Sequence, residues 1–172
     1  VVDIAIVGEN LLVEKQKNIE IIQQLGFSKC KVSLAVPKEV ETDDLNYFQG
    51  KKIATSYPNT LKKFLSENHI SADIHIISGS VEIAPNIGLA DGICDIVSSG
   101  STLFKNGLRE TVALLKSEAV LAQTSRLDEE KVKILDKFLF RIKSVLKAKN
   151  SKYILMNVPN DKILDISNVL PV

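Results

Sequence analysis

Cysteine and histidine are scarce in this sequence. It holds 2 cysteines and 2 histidines in 172 residues. Cys30, Cys94, His69 and His75 fall in no ligand spacing, which excludes a zinc finger or similar metal cage. Both cysteines are expected to be reduced core thiols, as in a cytoplasmic protein, and both histidines structural. No apolar run approaches the roughly 20 residues of a membrane span. No secretory signal is expected at the start of the chain. The net charge is +1, so nothing in bulk electrostatics calls for nucleic acid or a membrane surface. Repeats and low-complexity segments are absent. Gly8 is followed by Glu9-Asn10 and not by a glycine-rich turn, which argues against a single dinucleotide-binding sheet. An initiator Met is also missing, and the chain is expected to be a fragment of a longer protein.

What is present suits a soluble α/β protein. Hydrophobic residues make up 45% and charged residues 25%. Val1 to Val7 reads as a buried strand, Leu11 to Lys15 as a short helix, and Ile19 to Leu25 as either. A strand follows from Cys30 to Val36, stopped by Pro37. Lys52 to Thr55 is a short strand, and Leu61, Phe64 and Leu65 mark an amphipathic helix capped near Ser56 or Asn59. Asp73 to Ile77 reads as a strand and Ile83 to Leu89 as a helix with Pro85 in its first turn. Gly92 to Val97 is a strand and Thr102 to Asn106 a short helix. Glu110 to Leu115 and Glu118 to Gln123 are strands. Leu127 to Lys147 is the clearest helix, capped by Asp128, with an apolar stripe from Val132 to Leu146 for core or lobe packing. Tyr153 to Val158 reads as a strand and Asp161 to Leu170 as a helix. This alternation predicts largely parallel strands, and the many short strands favour two small lobes joined by crossing strands.

Chemistry concentrates where glycine does, since five of the 8 glycines lie between Gly79 and Gly107. Asp95 stands near the end of the Gly92–Val97 strand, ahead of Ser98-Ser99-Gly100-Ser101-Thr102. Glycine admits a close backbone, and four hydroxyls add donors, which together suit a phosphate. A carboxylate beside them repels a bare phosphate, but it accepts hydrogen bonds from ribose hydroxyls and can help hold Mg²⁺. A phosphorylated sugar satisfies both. The competing reading is a turn whose hydroxyls merely cap the next helix. Asp91 lies about a dozen ångström from Asp95 at strand rise and is read as a loop residue. Lys62 and Lys63 read as a solvated helix face. Arg109 suits either a phosphate or an ion pair near Glu110.

Glu82, Gly88, Asp95 and Ser99-Gly100-Ser101-Thr102-Leu103 together resemble the signature of the ATP phosphoribosyltransferase family. Val2 to Asn10, Lys52 to Pro58, Gly79 to Pro85, Asn106 to Glu110 and Ser151 to Pro159 resemble further family segments, so the likeness spans nearly the whole chain. It implies a two-lobed, periplasmic-binding-protein-like α/β architecture with mixed, largely parallel sheets. Residues 1–29 would belong to the first catalytic lobe, 30–110 to the second with its phosphate loop, and 111–150 would return to the first. Residues 151–172 would be the first strand and helix of a ferredoxin-like regulatory module of the long form, which binds histidine as feedback inhibitor.

The resemblance implies transfer of the phosphoribosyl group of phosphoribosyl pyrophosphate to ATP, with Mg²⁺, as the first step of histidine biosynthesis. Ser98, Ser99, Gly100, Ser101 and Thr102 would hold the 5-phosphate and Asp95 the ribose hydroxyls. Glu82 would lie near the ribose or the metal, Asp95 or Glu82 being the metal contacts, directly or through water. Thr55, Ser56 and Tyr57 would line the cleft or contact ATP, with Glu9 and Asn10 facing them from the other lobe. The family's earliest strands and its basic ATP contacts have no counterpart, so this fragment is expected to show no measurable turnover alone. A homo-oligomer is implied. Two alternatives stand beside this one. The first is a non-catalytic two-lobed binding module for a phosphorylated small molecule. The second is a regulatory paralogue that binds the sugar phosphate without turning it over.

Overall fold

The computed structural model describes residues 2–16, 19–41, 43–125, 127–149 and 151–170. Val1 of the expected first strand, and Pro171 and Val172 of the expected last segment, lie outside them. The chain divides into two compact units, Val1–Val132 and Lys133–Val172.

The first unit carries two sheets. Strand β1 (Ile4–Gly8) leads into helix α1 (Glu9–Lys15) and strand β2 (Glu20–Gln24), which settles the ambiguous segment as strand. Strands β3 (Cys30–Pro37), β4 (Lys52–Thr55), β5 (Asp73–Ile76), β6 (Gly92–Val97) and β7 (Leu108–Ser117) follow. Helix α2 (Pro58–Glu67) joins β4 to β5, and helix α3 (Ser101–Lys105) joins β6 to β7. Strand β8 (Ala119–Gln123) closes the set. The order is β1-β8-β2 in the smaller sheet and β5-β4-β6-β3-β7 in the larger.

The sheets are mixed, as expected, but they are not largely parallel. Among the described residues, only β4–β5 and β4–β6 pair in parallel. The other four pairings are antiparallel. In the larger sheet the cause is β3, which inserts between β6 and β7 and runs against both, and in the smaller sheet β8 runs against both β1 and β2. Strand β7 pairs with β3 as far as Ser117, and the chain joins the smaller sheet from Ala119.

Period-two alternation builds two core layers on the larger sheet. Val32, Leu34, Val36, Ile53 and Cys94 pack with Leu61 and Leu65 of α2. Ala35, Ala54, Ile93 and Val97 face the other way, beneath Val81, Ala84 and Leu103. Asp95 lies between Ile93 and Val97 in this alternation, so it belongs to the second layer, at the edge where that cover ends. Gly92 opens β6 because a Cβ there would sit 3.0 Å from both the Ala35 carbonyl and the Phe48 ring. Cys94 is a core thiol, whereas Cys30 is half-buried, because the strand edge it opens is not covered.

The expected helix over Ile83 to Leu89 is not formed. A 3-10 turn spans Val81–Ile83, and reverse turns follow. Pro85 has no N–H to donate, and Gly88 adopts φ +72. The Ile83/Ile87 spacing imitates a helix, yet both side chains are exposed.

Helix α4 (Glu129–Lys149) begins in the first unit, where Asp128 accepts from the Lys131 N–H at 2.8 Å, and it supplies the opening part of the second. Beyond it, Tyr153 to Val158 forms no strand, and no strand among the described residues pairs with it. An unpaired strand has no ladder to hold it. The expected opening strand of a ferredoxin-like module is therefore absent. A 3-10 turn (Asn160–Lys162) and helix α5 (Ile163–Ser167) replace the longer helix expected there. No helix of the described residues is long and apolar enough to cross a membrane.

Candidate functional site

The parallel strands β4 and β6 end side by side, and the loops after them build the site. Asp95 is half-buried on β6 and accepts a hydrogen bond from Ser56 Oγ at 3.0 Å. Burial raises its pKa above the ordinary carboxylate value. The negative charge of Glu82 adds to the rise, while hydrogen bonds from the Ile96 N–H and Ser56 oppose it. The surroundings of the carboxyl therefore favour its protonated form more than water does.

The loop after β6 turns at Gly100, whose φ is +74. No atom comes within 4 Å of a Cβ built there, so glycine serves the backbone turn and not a tight contact. Helix α3 has no side-chain cap. Ser99 and Ser101 hydroxyls meet at 3.0 Å. Among the described residues, no hydrogen bond occupies the hydroxyl of Ser98 or Thr102, or the N–H of Ser99 or Gly100. The hydroxyls are thus not spent on capping. Donors left open around a left-handed turn suit an oxyanion.

Glu82, Asp95, Ser98, Ser99, Gly100 and Thr102 line one pocket of about 280 Å³, floored by Ile93, Val97 and Leu103. Ser101 does not line it. A more open hollow of about 550 Å³ adjoins through Cys30 and Ser98, and Glu9 lines it with Lys29, Lys31 and Lys116. Cys30 faces both spaces. Its register opposite Ser117 at the end of β3 explains this, and nothing in its sequence context signalled it.

Three residues expected in the cleft are buried in the packing instead. Thr55 Oγ1 donates to the Cys94 carbonyl at 2.6 Å and accepts from the Tyr57 N–H at 2.8 Å. Tyr57 Oη accepts from Asn10 Nδ2 at 2.8 Å. Burial raises the Tyr57 phenol pKa, against the Asn10 hydrogen bond and with the charge of Asp95. Asn10 is 3% exposed. The polar atoms of Asn10 and Thr55 are consumed internally, so these side chains hold Ser56 in place and do not face the pocket. Asp91 lies at the far end of β6 from the pocket, where its carboxylate accepts from the Lys52 N–H at 2.9 Å. Arg109 is tied to the Val40 carbonyl and Asp43, and His75 pairs with Asp73 on the surface.

Known proteins resemble this chain in sequence and in fold. The family model described as HisG: ATP phosphoribosyltransferase matches residues 1–144. The chain belongs to this family. An ATP phosphoribosyltransferase of Bacteroides fragilis is 54% identical over 171 residues, 99% of this chain and 60% of its own length. That of Cytophaga hutchinsonii is 55% identical over the same shares. The chain thus spans about 60% of the length of these curated relatives. A chain of the ATP phosphoribosyl transferase (HisG:HisZ) complex from Thermotoga maritima superposes with a TM-score of 0.73 at 26% identity, covering 84% of this chain and 70% of its own. The alkanesulfonate-binding protein SsuA from Xanthomonas axonopodis superposes with a TM-score of 0.56 at 12% identity, covering 98% of this chain and 58% of its own, a likeness of fold alone.

Proposed function

We propose that the protein to which this chain belongs transfers the phosphoribosyl group of phosphoribosyl pyrophosphate to ATP. The observation that carries this reading is the shared pocket of Asp95, Glu82 and the open Ser98–Thr102 loop in a member of this family. The loop's N–H and hydroxyl donors take the 5-phosphate, and Asp95 accepts from the ribose hydroxyls. Nitrogen N1 of adenine then supplies the electron pair for a bond to C1 as the C1–O bond to pyrophosphate breaks. Such a step needs alignment and charge stabilisation more than proton transfer. Ser56 keeps the Asp95 carboxylate oriented.

The donor set fits a divalent cation of limited protein ligation. Asp95 and Glu82 line the same pocket and the charge of Glu82 disfavours that of Asp95, while no cluster of three ligating side chains occurs among the described residues. Mg²⁺ commonly takes one or two carboxylates together with substrate phosphate oxygens and water. Held by Asp95 and Glu82, directly or through water, it would neutralise the departing pyrophosphate. Histidine feedback and a homo-oligomer of the whole protein belong to the same reading.

Thermal melting tests the binding half. Phosphoribosyl pyrophosphate with Mg²⁺ should raise the melting temperature, and Asp95→Ala or Gly100→Val should abolish the rise. An unchanged melting temperature in the parent chain would count against the reading. A rise given equally by inorganic phosphate would favour instead a simple phosphate-binding module.

A further inference from the structure

Helix α1 carries two buried polar side chains that the proposed chemistry does not use. Asn10 is 3% and Glu14 4% exposed. The Glu14 carboxylate accepts from the Asn59 N–H at 3.0 Å, the Thr60 N–H at 2.9 Å and Thr60 Oγ1 at 2.8 Å. Its own carbonyl accepts from Asn59 Nδ2 at 2.9 Å. Asn59 and Thr60 form the first turn of α2, whose N-cap position, Tyr57, offers no side-chain hydrogen bond. Helix α2 is therefore capped by a residue of another element, belonging to the other sheet's side of the unit. Asn10 adds a second tie. Its N–H donates to Ser117 Oγ at 2.9 Å, its Oδ1 accepts from the same hydroxyl at 2.9 Å, and its amide donates to Tyr57 Oη.

A buried carboxylate is costly unless several donors meet it. Here three donors and the positive end of a ten-residue helix do so. An apolar contact would join the helices without fixing their register, whereas these bonds fix it to within a hydrogen-bond length. The Thr55–Tyr57 segment runs directly into α2, and Ser56 on it orients Asp95. A slip of α2 would carry Ser56 off the carboxylate. Glu14 also fills the N-terminus of α2, the place after β4 that would otherwise attract a ligand's anionic group.

We propose that Glu14 and Asn10 are positioning residues. Through their bonds to α2 and Tyr57 they hold the β4–α2 loop on Asp95, and Glu14 excludes anions from the N-terminus of α2. The phosphate of the ligand is thereby left to the Ser98–Thr102 loop. The identity of that ligand rests on the phosphoribosyl reading, but the clasp does not.

The test uses the 172-residue chain with Glu14→Gln, Thr60→Val, and Val120→Ala as a core variant destabilised away from the clasp. Without ligand, the amides of Asn59 and Thr60 should exchange about tenfold faster in Glu14→Gln, the loss that one charge-assisted hydrogen bond carries, and no faster in Val120→Ala than its global stability dictates. With phosphoribosyl pyrophosphate and Mg²⁺, the dissociation constant should rise about tenfold in Glu14→Gln and stay at the parent value in Val120→Ala. Thr60→Val should weaken binding in the same direction, and its effect should not add to that of Glu14→Gln. Unchanged exchange in Glu14→Gln, or parent affinity in a variant that has lost only melting temperature, would overturn the proposal. If the parent itself fails to bind, the phosphoribosyl reading falls, and the exchange experiment alone decides the clasp.

Discussion

Replacing Asp95 with Asn exchanges one carboxylate oxygen for an amide and removes a charge that the fold holds at a cost. The pKa of Asp95 is raised, so the folded protein favours its protonated form and loses stability as that form ionises. Asn keeps an oxygen that can accept from Ser56 Oγ, now 3.0 Å away, and gives up about 1 kcal/mol of charge assistance. Against that loss it abolishes the burial penalty and the repulsion from Glu82. Burial outweighs the two hydrogen bonds in the sign of the pKa shift. The unliganded variant should therefore melt at the parent temperature or up to about 4 °C higher, where an ordinary mutation would cost about 1 kcal/mol. The sign also sets a pH dependence. The advantage of Asn should vanish below about pH 3.9, where the unfolded carboxyl is protonated too, and grow as pH rises through the folded pKa. Ligand should reverse the ranking. At about 100 times its dissociation constant, phosphoribosyl pyrophosphate with Mg²⁺ would stabilise the parent by about 2.7 kcal/mol, a shift of roughly 5–10 °C. Losing two charge-assisted bonds to ribose hydroxyls weakens binding at least about 100-fold, leaving about 0.4 kcal/mol and a shift near 1 °C. Differential scanning fluorimetry from pH 4 to 8, with and without ligand, reads both effects. A variant that melts several degrees lower without ligand, or shifts as far as the parent with it, would refute the assignment of Asp95.

Gly100→Ala should lower the melting temperature by about 2–8 °C through backbone strain alone, since φ +74 costs an L-residue about 1–2 kcal/mol and the added methyl meets nothing. Gly100→Asn should cost less in the same melt, and equal losses would mean that the left-handed turn is not the cause. Burial pushes the Cys94 thiol up to about 12, so it should stay protonated and unlabelled by maleimide at pH 8 in the folded chain. Cys30, half-buried between the two hollows, should take the single label, and phosphoribosyl pyrophosphate should slow that labelling in intact-mass measurements.

Elements with a local cause were legible in the sequence. The apolar run Val32–Val36 needed no partner information to read as a strand, because both of its faces are buried. Helix α4 announced itself through Asp128, its acidic first turn and its basic last turn. What was hidden depended on distant segments. Sheet direction was one such feature, since an α/β alternation suggests parallel strands but cannot show β3 inserting between β6 and β7. Tyr153 to Val158 has strand composition, yet composition supplies no partner strand.

The site divides along the same line. Asp95 and the Ser98–Thr102 loop are contiguous, and turn chemistry together with a strand end marks them. Their meeting with Glu82 required a resemblance, because that residue stands on a separate 3-10 turn that only the fold brings to the same pocket. The α2 cap shows the limit most directly. Ser56 and Asn59 are sound cap residues by type, but the fold aims Ser56 at Asp95 and has Asn59 donate to Glu14. Glu14 lies 45 residues before Asn59 in a short helix that gives no sign of burial in its sequence. A carboxylate of that kind reads as a solvated charge until its donors are seen. The side chain proposed to bind ligand was thus readable, and the side chains proposed to hold it in register were not. Ligand chemistry selects residue types within a short loop, while register is a property of two helices whose only link is in space.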